Sequence, residues 1–235
     1  MKIKSTILIL LFGVLFIHAQ EYERVVGTWN AIFLNTKIND QLHITTELHH
    51  RTINGLEDMD QHIFRPSLNY KSPSGLQWTA GYSYLQNYRW DHNDLPRFLR
   101  EHNMWEQLKF SFKGLKGGSF GNQFRLEHRF IEQTTGANPY AFSSRIRYRF
   151  TYAYPFFQEK WKGNVKMIFY DEVFLLLNPN GIPYRFNQNW TFLGLNIILG
   201  KKANLVTGIQ KNTIARGNNR YLINRFLNTT LHYRF

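Results

Sequence analysis

From Gly27 onward, polar and apolar residues alternate in short runs separated by turn-forming stretches. Trp29, Ala31 and Phe33 oppose Thr28 and Asn30, and Leu42, Ile44, Thr46 and Leu48 oppose His43, Thr45, Glu47 and His49. Phe64, Pro66, Leu68 and Tyr70 stand against Arg65, Ser67, Asn69 and Lys71; Leu76, Trp78, Ala80, Tyr82 and Tyr84 stand against Gln77, Thr79, Gly81 and Ser83. The second half continues with Leu108, Phe110 and Phe112 opposite Gln107, Lys109 and Ser111, then Phe124, Leu126, His128 and Phe130 opposite Gln123, Arg125, Glu127 and Arg129. Between Phe142 and Tyr154, Ile146, Tyr148 and Phe150 share one face and Arg145, Arg147 and Arg149 the other. Val165, Met167 and Phe169 oppose Lys166, Tyr170 and Glu172, and two further segments, Phe186 to Leu199 and Leu205 to Gln210, precede the last run. A pleated strand sends successive side chains to opposite faces, so each run predicts a strand with one apolar and one wet face.

The last run, Leu227 to Phe235, shows the same division. Leu227, Thr229, Leu231, Tyr233 and Phe235 fall on one face, and Asn228, Thr230, His232 and Arg234 on the other. Eleven runs can be counted. Short connections at Asn35 to Asp40, Ser72 to Gly75 and Gly200 to Ala203 alternate with longer polar ones at Thr52 to Gln61, Arg89 to Arg97, Thr134 to Tyr140, Leu177 to Tyr184 and Thr213 to Arg220. This pattern, with Tyr and Trp crowding the ends of the apolar faces, predicts an all-β fold: an antiparallel, transmembrane, up-and-down β-barrel. Bacterial single-chain barrels have an even number of strands, so ten to twelve are expected, with twelve favoured. A soluble β-sandwich would show the same alternation with its apolar faces turned inward, but it offers no reason for the alternating connection lengths or the terminal aromatic strand.

The first residues change the picture by adding a leader. Lys2 and Lys4 precede an apolar stretch from Ile7 to Ile17, shorter than the roughly 20 residues a bilayer-spanning helix needs, with Ala19 before a plausible cleavage point. Residues 1–19 are therefore expected to be a cleaved signal peptide, and residues 20–235 a single barrel domain in the cell outer membrane. No cysteine is present, which excludes disulfides, thiolate metal sites, cysteine nucleophiles and a lipid-anchored precursor. The net charge is +13, yet the basic residues alternate with aromatics instead of clustering, so nucleic acid is not an expected partner. Outer-membrane lipid and lipopolysaccharide, the barrel-assembly machinery and other envelope proteins are.

Ionisable groups at membrane depth should face the interior of a barrel. Glu47, Arg51, Arg65, Glu101, Arg125, Glu127, Arg129, Arg145, Arg147, Arg149, Glu172 and Arg234 are the expected lumen network. Such a network can line an anion-selective constriction or lock a narrow barrel shut with paired charges. Leu231, Tyr233 and Phe235 are the expected recognition signal for barrel assembly. His43, Glu47 and His49 share a face, but one strand spaces them about 7 Å apart and rarely makes a metal site unaided, so no metal and no cofactor is expected. Ser83, Ser111, Ser119, Ser143 and Ser144 lack a recognisable nucleophile setting, and no catalytic residue is assigned. The polar connections carrying Trp90 and His92, Asn138 to Tyr140, and Asn178 to Gly181 suit contacts with other envelope proteins.

The order of local motifs resembles the DUF2490 family of outer-membrane β-barrel proteins common in Bacteroidetes. Trp29, Glu47 with Arg51, Arg65-Pro66 with Leu68 and Tyr70, Gly81-Tyr82 and Glu101-His102 with Trp105 and Gln107 carry the first half of the resemblance. Arg125 with Glu127 and Arg129, Arg147-Tyr148, Glu172, and Asn187-Gln188-Asn189 with Gly194 carry the second. The chain departs from the pattern at Asn103 and Trp190, where arginine is expected. The resemblance implies the barrel and its outer-membrane location, and a molecular role undefined by the family name. The resulting expectation is a small, non-enzymatic channel or envelope structural barrel with an Arg/Glu-lined lumen. The alternatives are a lipid-active outer-membrane hydrolase or a barrel subunit of a larger envelope assembly.

Overall fold

The computed structural model describes residues 20–88, 98–114, 117–135, 138–155, 164–178, 185–217 and 220–235. The expected leader, Trp90, His92 and Pro179 to Gly181 lie outside them. Eleven strands follow in chain order: β1 (Gln20–Lys37), β2 (Leu42–Ile53), β3 (Asp58–Lys71), β4 (Gln77–Tyr88), β5 (Phe98–Lys113), β6 (Ser119–Glu132), β7 (Tyr140–Pro155), β8 (Val165–Leu176), β9 (Phe186–Ile198), β10 (Ala203–Gly217) and β11 (Arg220–Arg234). Each pairs with its neighbours in sequence, and β1 pairs with β11, so the sheet closes on itself. The all-β barrel is therefore the fold.

The favoured count of twelve is corrected to eleven among the described residues, and the correction has a topological consequence. In an up-and-down sheet with an odd number of strands, the first and last run the same way. The β1–β11 seam is accordingly parallel, with Phe33 opposite His232 and Asn35 opposite Arg234, while every other pair is antiparallel. The Phe235 N–H extends the seam by donating to the Asn35 carbonyl at 3.0 Å. Closure leaves no open sheet edge.

Two expected long connections are short because the flanking strands run further than the alternation suggested. The β2–β3 connection is four residues, 54 to 57, opening with Asn54 and Gly55 at φ of 50° and 76°, left-handed angles that Asn and Gly accommodate most readily. Thr213 to Arg220 is mostly strand, since β10 continues to Gly217 and β11 starts at Arg220.

Strand faces follow the expected alternation on nearly every strand. Large apolar side chains stay exposed on the outside, among them Leu48, Phe64, Leu68, Trp78, Met104 and Leu227. Charged and amide side chains are buried inside. On β1 the face carrying Trp29, Ala31 and Phe33 turns inward, while Ile32 points out and is exposed. The reason is a partner set on the same side of the barrel, β11, β9 and β8: Trp29, Phe174, Trp190 and Phe226 pack together as an apolar cluster within the bore. Close packing also dictates Gly81, where a Cβ would meet the Trp105 ring at 2.3 Å.

Candidate functional site

The charged residues converge at mid-height of the bore because their strands place them one register step apart. Arg147 of β7 faces Arg125 of β6 and Phe174 of β8, which leaves its guanidinium free to reach carboxylates on both sides along the diagonals. Its Nη1 donates to Glu127 Oε1 at 2.7 Å and its Nε to Glu172 Oε1 at 2.9 Å. Arg145 Nε donates to Glu127 Oε2 at 2.5 Å, and Arg149 Nη2 to Glu172 Oε2 at 2.5 Å. Glu127 and Glu172 are 1% and 0% exposed. Charge-assisted, partly bidentate pairs of this kind are the strong ones.

Glu47 joins the lattice from β2. It accepts from Arg65 Nη1 at 2.9 Å and lies 2.9 Å from His49 Nε2, while Trp29 Nε1 donates to His49 Nδ1 at 3.0 Å. Because Nδ1 accepts, the bonding network assigns the ring proton to Nε2, facing Glu47. Arg65 Nε continues to Ser83 Oγ at 2.8 Å, which also receives Trp105 Nε1 at 3.0 Å. Arg125 donates to Gln107 Oε1 at 2.9 Å, lies over the Trp105 ring and sits 3.7 Å from Glu127. Toward the β4–β5 end, Arg129 clasps Glu101 with bonds of 2.7 and 3.0 Å.

The other half of the plug is aromatic. Trp29 meets Trp190 edge to face at 4.9 Å, and Phe174 lies 4.7 Å from Trp190. Arg51 is stacked 3.3 Å over Trp29, and Arg147 4.2 Å over Phe174. Two arginines thus join the ionic wall to the aromatic wall through cation–π contacts. Hydrophobic alternation hides the inward role of this half, since it cannot tell an aromatic face turned into a bore from one turned to lipid. A bulge between β8 and β9 also brings Asn187 inward to accept from Arg145 Nη1 at 3.3 Å.

Most of the expected network is brought together, but Arg234 stands apart. It lines a cavity of about 680 Å³ at the Phe235 end, with Lys109, His232 and Phe235 itself. A second space of about 280 Å³ lies beside the lattice, and a third of about 350 Å³ lies at the opposite end. His49 and Glu47 are engaged with each other, and no group of three metal-ligating side chains occurs among the described residues. One of the serines has a partner that its sequence setting did not suggest: Ser144 Oγ lies 2.9 Å from His128 Nδ1 on the outward face, and its N–H donates to Asn178 Oδ1 at 2.6 Å.

Residues 26–222 match the family described as protein of unknown function (DUF2490). An uncharacterized protein of Methylorubrum extorquens is 26% identical over 169 residues, covering 71% of this chain and 69% of its own. No solved structure matches the chain.

Proposed function

The chain belongs to the DUF2490 family, and we propose that it is an outer-membrane β-barrel whose bore is held shut by paired charges, serving the envelope structurally and not as an enzyme or open channel. The observation that carries closure is the complete burial of Glu127 and Glu172 inside the barrel. A lumen wide enough for a water column would wet its carboxylates; here guanidinium groups replace water around both. The membrane location rests on the inverted distribution of side chains, with an apolar exterior around a charged interior. A soluble protein rarely exposes apolar surface on that scale, whereas a lipid-facing barrel requires it.

In this reading the leader directs export, Leu231, Tyr233 and Phe235 guide assembly, and the exterior meets lipid and lipopolysaccharide. Residence in a Bacteroidetes envelope is part of the same proposal. Density-gradient fractionation of cells, followed by gels of unheated and boiled samples, tests it. The protein is expected in the outer-membrane fraction with a heat-modifiable band; recovery as a soluble periplasmic protein would overturn the reading.

A second reading, a lipid-active hydrolase, is favoured by the outward His128–Ser144 pair alone. There Ser144 would serve as nucleophile and His128 as base. Phospholipid turnover in mixed micelles that disappears in Ser144→Ala would establish it, and absence of turnover would leave the closed barrel.

A further inference from the structure

Three buried side-chain polar atoms have no hydrogen-bond partner among the described residues: Nε of Arg51, Oδ1 of Asn103 and Oδ1 of Asn224. All three residues line the same cavity, the one of about 350 Å³ at the end of the barrel where β4 passes to β5 and β8 to β9. Buried polar groups are paired as a rule, because a desolvated orphan is costly. Three such side chains line one space, and a small rotation that turns each orphan atom toward it would let a solute complete them. From this we infer that the vestibule binds a polyhydroxylated anion, a sugar carrying a carboxylate or a phosphate.

The lining chemistry selects that class. Six amides, Gln61, Asn87, Asn103, Gln188, Asn212 and Asn224, face one cavity. They are held in place by their own bonds: Trp190 Nε1 donates to Gln188 Oε1 at 2.8 Å and Gln210 Nε2 to Asn212 Oδ1 at 2.7 Å. Those bonds occupy the amide oxygens and leave the amide nitrogens of Gln188 and Asn212 as donors. Asn103 and Asn224 present the reverse, an oxygen that needs a donor. Hydroxyl groups both donate and accept, so a sugar satisfies donors and acceptors together. Inorganic phosphate carries at most two P–OH donors at neutral pH and has no C–H face, so it meets this lining only in part.

Charge adds the second requirement. Arg216 makes no ion pair among the described residues, and of the two carboxylates lining the cavity, Asp60 and Glu101, the second is bonded to Arg129, which leaves Asp60 alone beside Arg51 and Arg216. The remaining arginines there are committed to Glu47, Glu101, Glu127 and Glu172. Arg51 and Arg216 therefore favour an anionic substituent. Trp190 and Phe226 supply apolar surface for the C–H face of a ring. The volume lies near the lower end of the roughly 300–1,000 Å³ usual for small-molecule sites, a size suited to one sugar unit.

Isothermal titration of the full mature chain, folded in detergent, tests the inference with glucuronate, glucose 6-phosphate, glucose and inorganic phosphate as probes. At least one of the charged sugars is expected to bind roughly tenfold more tightly than glucose and than phosphate, and which one does so identifies carboxylate or phosphate as the anionic group. Asn224→Leu is expected to weaken that binding about tenfold, the scale of one hydrogen bond. The exposed Arg216→Gln should do the same, and Lys109→Gln, in the opposite vestibule, should leave it unchanged. Retention of the heat-modifiable band establishes that each variant is folded. Three results would each overturn the inference: no binding of either charged sugar, glucose or phosphate binding as tightly as the tighter of the two charged sugars, or a loss in Lys109→Gln with none in Asn224→Leu and Arg216→Gln.

Discussion

Replacing Glu172 by glutamine removes the anion on which Arg147 and Arg149 converge. The carboxylate receives Arg147 Nε at 2.9 Å and Nη2 at 2.8 Å, and Arg149 Nε at 2.9 Å and Nη2 at 2.5 Å, with no exposure to solvent. Glutamine keeps the shape but retains one acceptor oxygen and turns an NH2 group toward a guanidinium. Glu127 would then be the carboxylate left to balance Arg145 and Arg147, with Arg149 stranded. Breaking a buried pair from one side costs about 3–5 kcal/mol, because the surviving charge loses its compensation. Urea unfolding of the vesicle-inserted barrel, followed by tryptophan fluorescence, should show this loss as a lower midpoint with an unchanged slope. Adding Arg149→Met to Glu172→Gln removes the stranded cation and should restore part of the stability, giving a coupling of roughly 1–3 kcal/mol in the double-mutant cycle. A Glu172→Gln barrel within about 0.5 kcal/mol of wild type, the range of an ordinary surface change, would refute the closed lattice.

Gly81→Val should destabilise the barrel by about 1–3 kcal/mol through overpacking, since its Cβ would meet the Trp105 ring at 2.3 Å; an unchanged urea midpoint would mean that Trp105 does not fill that space. Deleting Phe235 removes the residue that extends the seam to Asn35 and packs on Tyr233 at 5.1 Å. Export should continue while the heat-modifiable outer-membrane band falls, and normal levels of that band would remove the residue's role in assembly.

The eleven strands were legible because inward polar and outward apolar residues alternate strongly at Phe64 to Tyr70, Phe124 to Phe130 and Arg145 to Tyr154. Parity was not legible. No single residue encodes an even or odd count; it is settled by whether β1 and β11 can pair in parallel, a relation between segments some 200 residues apart in chain order. Alternation on β1 revealed two faces but not that the aromatic one turns inward, because an apolar face reads as lipid-facing until Trp190 of β9 and Phe226 of β11 are seen to pack on Trp29. Asn54-Gly55 carried a readable hairpin signal inside a stretch that otherwise looks like a long polar loop. In the lumen, the identity of the charged residues was visible in the sequence, but their pairing was not. Glu127 could be placed inward by period alone, whereas its choice of Arg145 and Arg147 depends on the β6–β7 register and its diagonals. The amide-lined vestibule was invisible for the same reason, since its six amides come from six different strands.

Planar-bilayer recording on the purified barrel tests the closed bore most directly. Wild-type protein, shown by flotation to be inserted in vesicles from the same preparation, is expected to give no single-channel steps at any voltage. An Arg147→Ser, Glu172→Ser variant, with the centre of the lattice cut away, should give resolvable steps. Stable ohmic steps from the wild-type protein would contradict closure by paired charges.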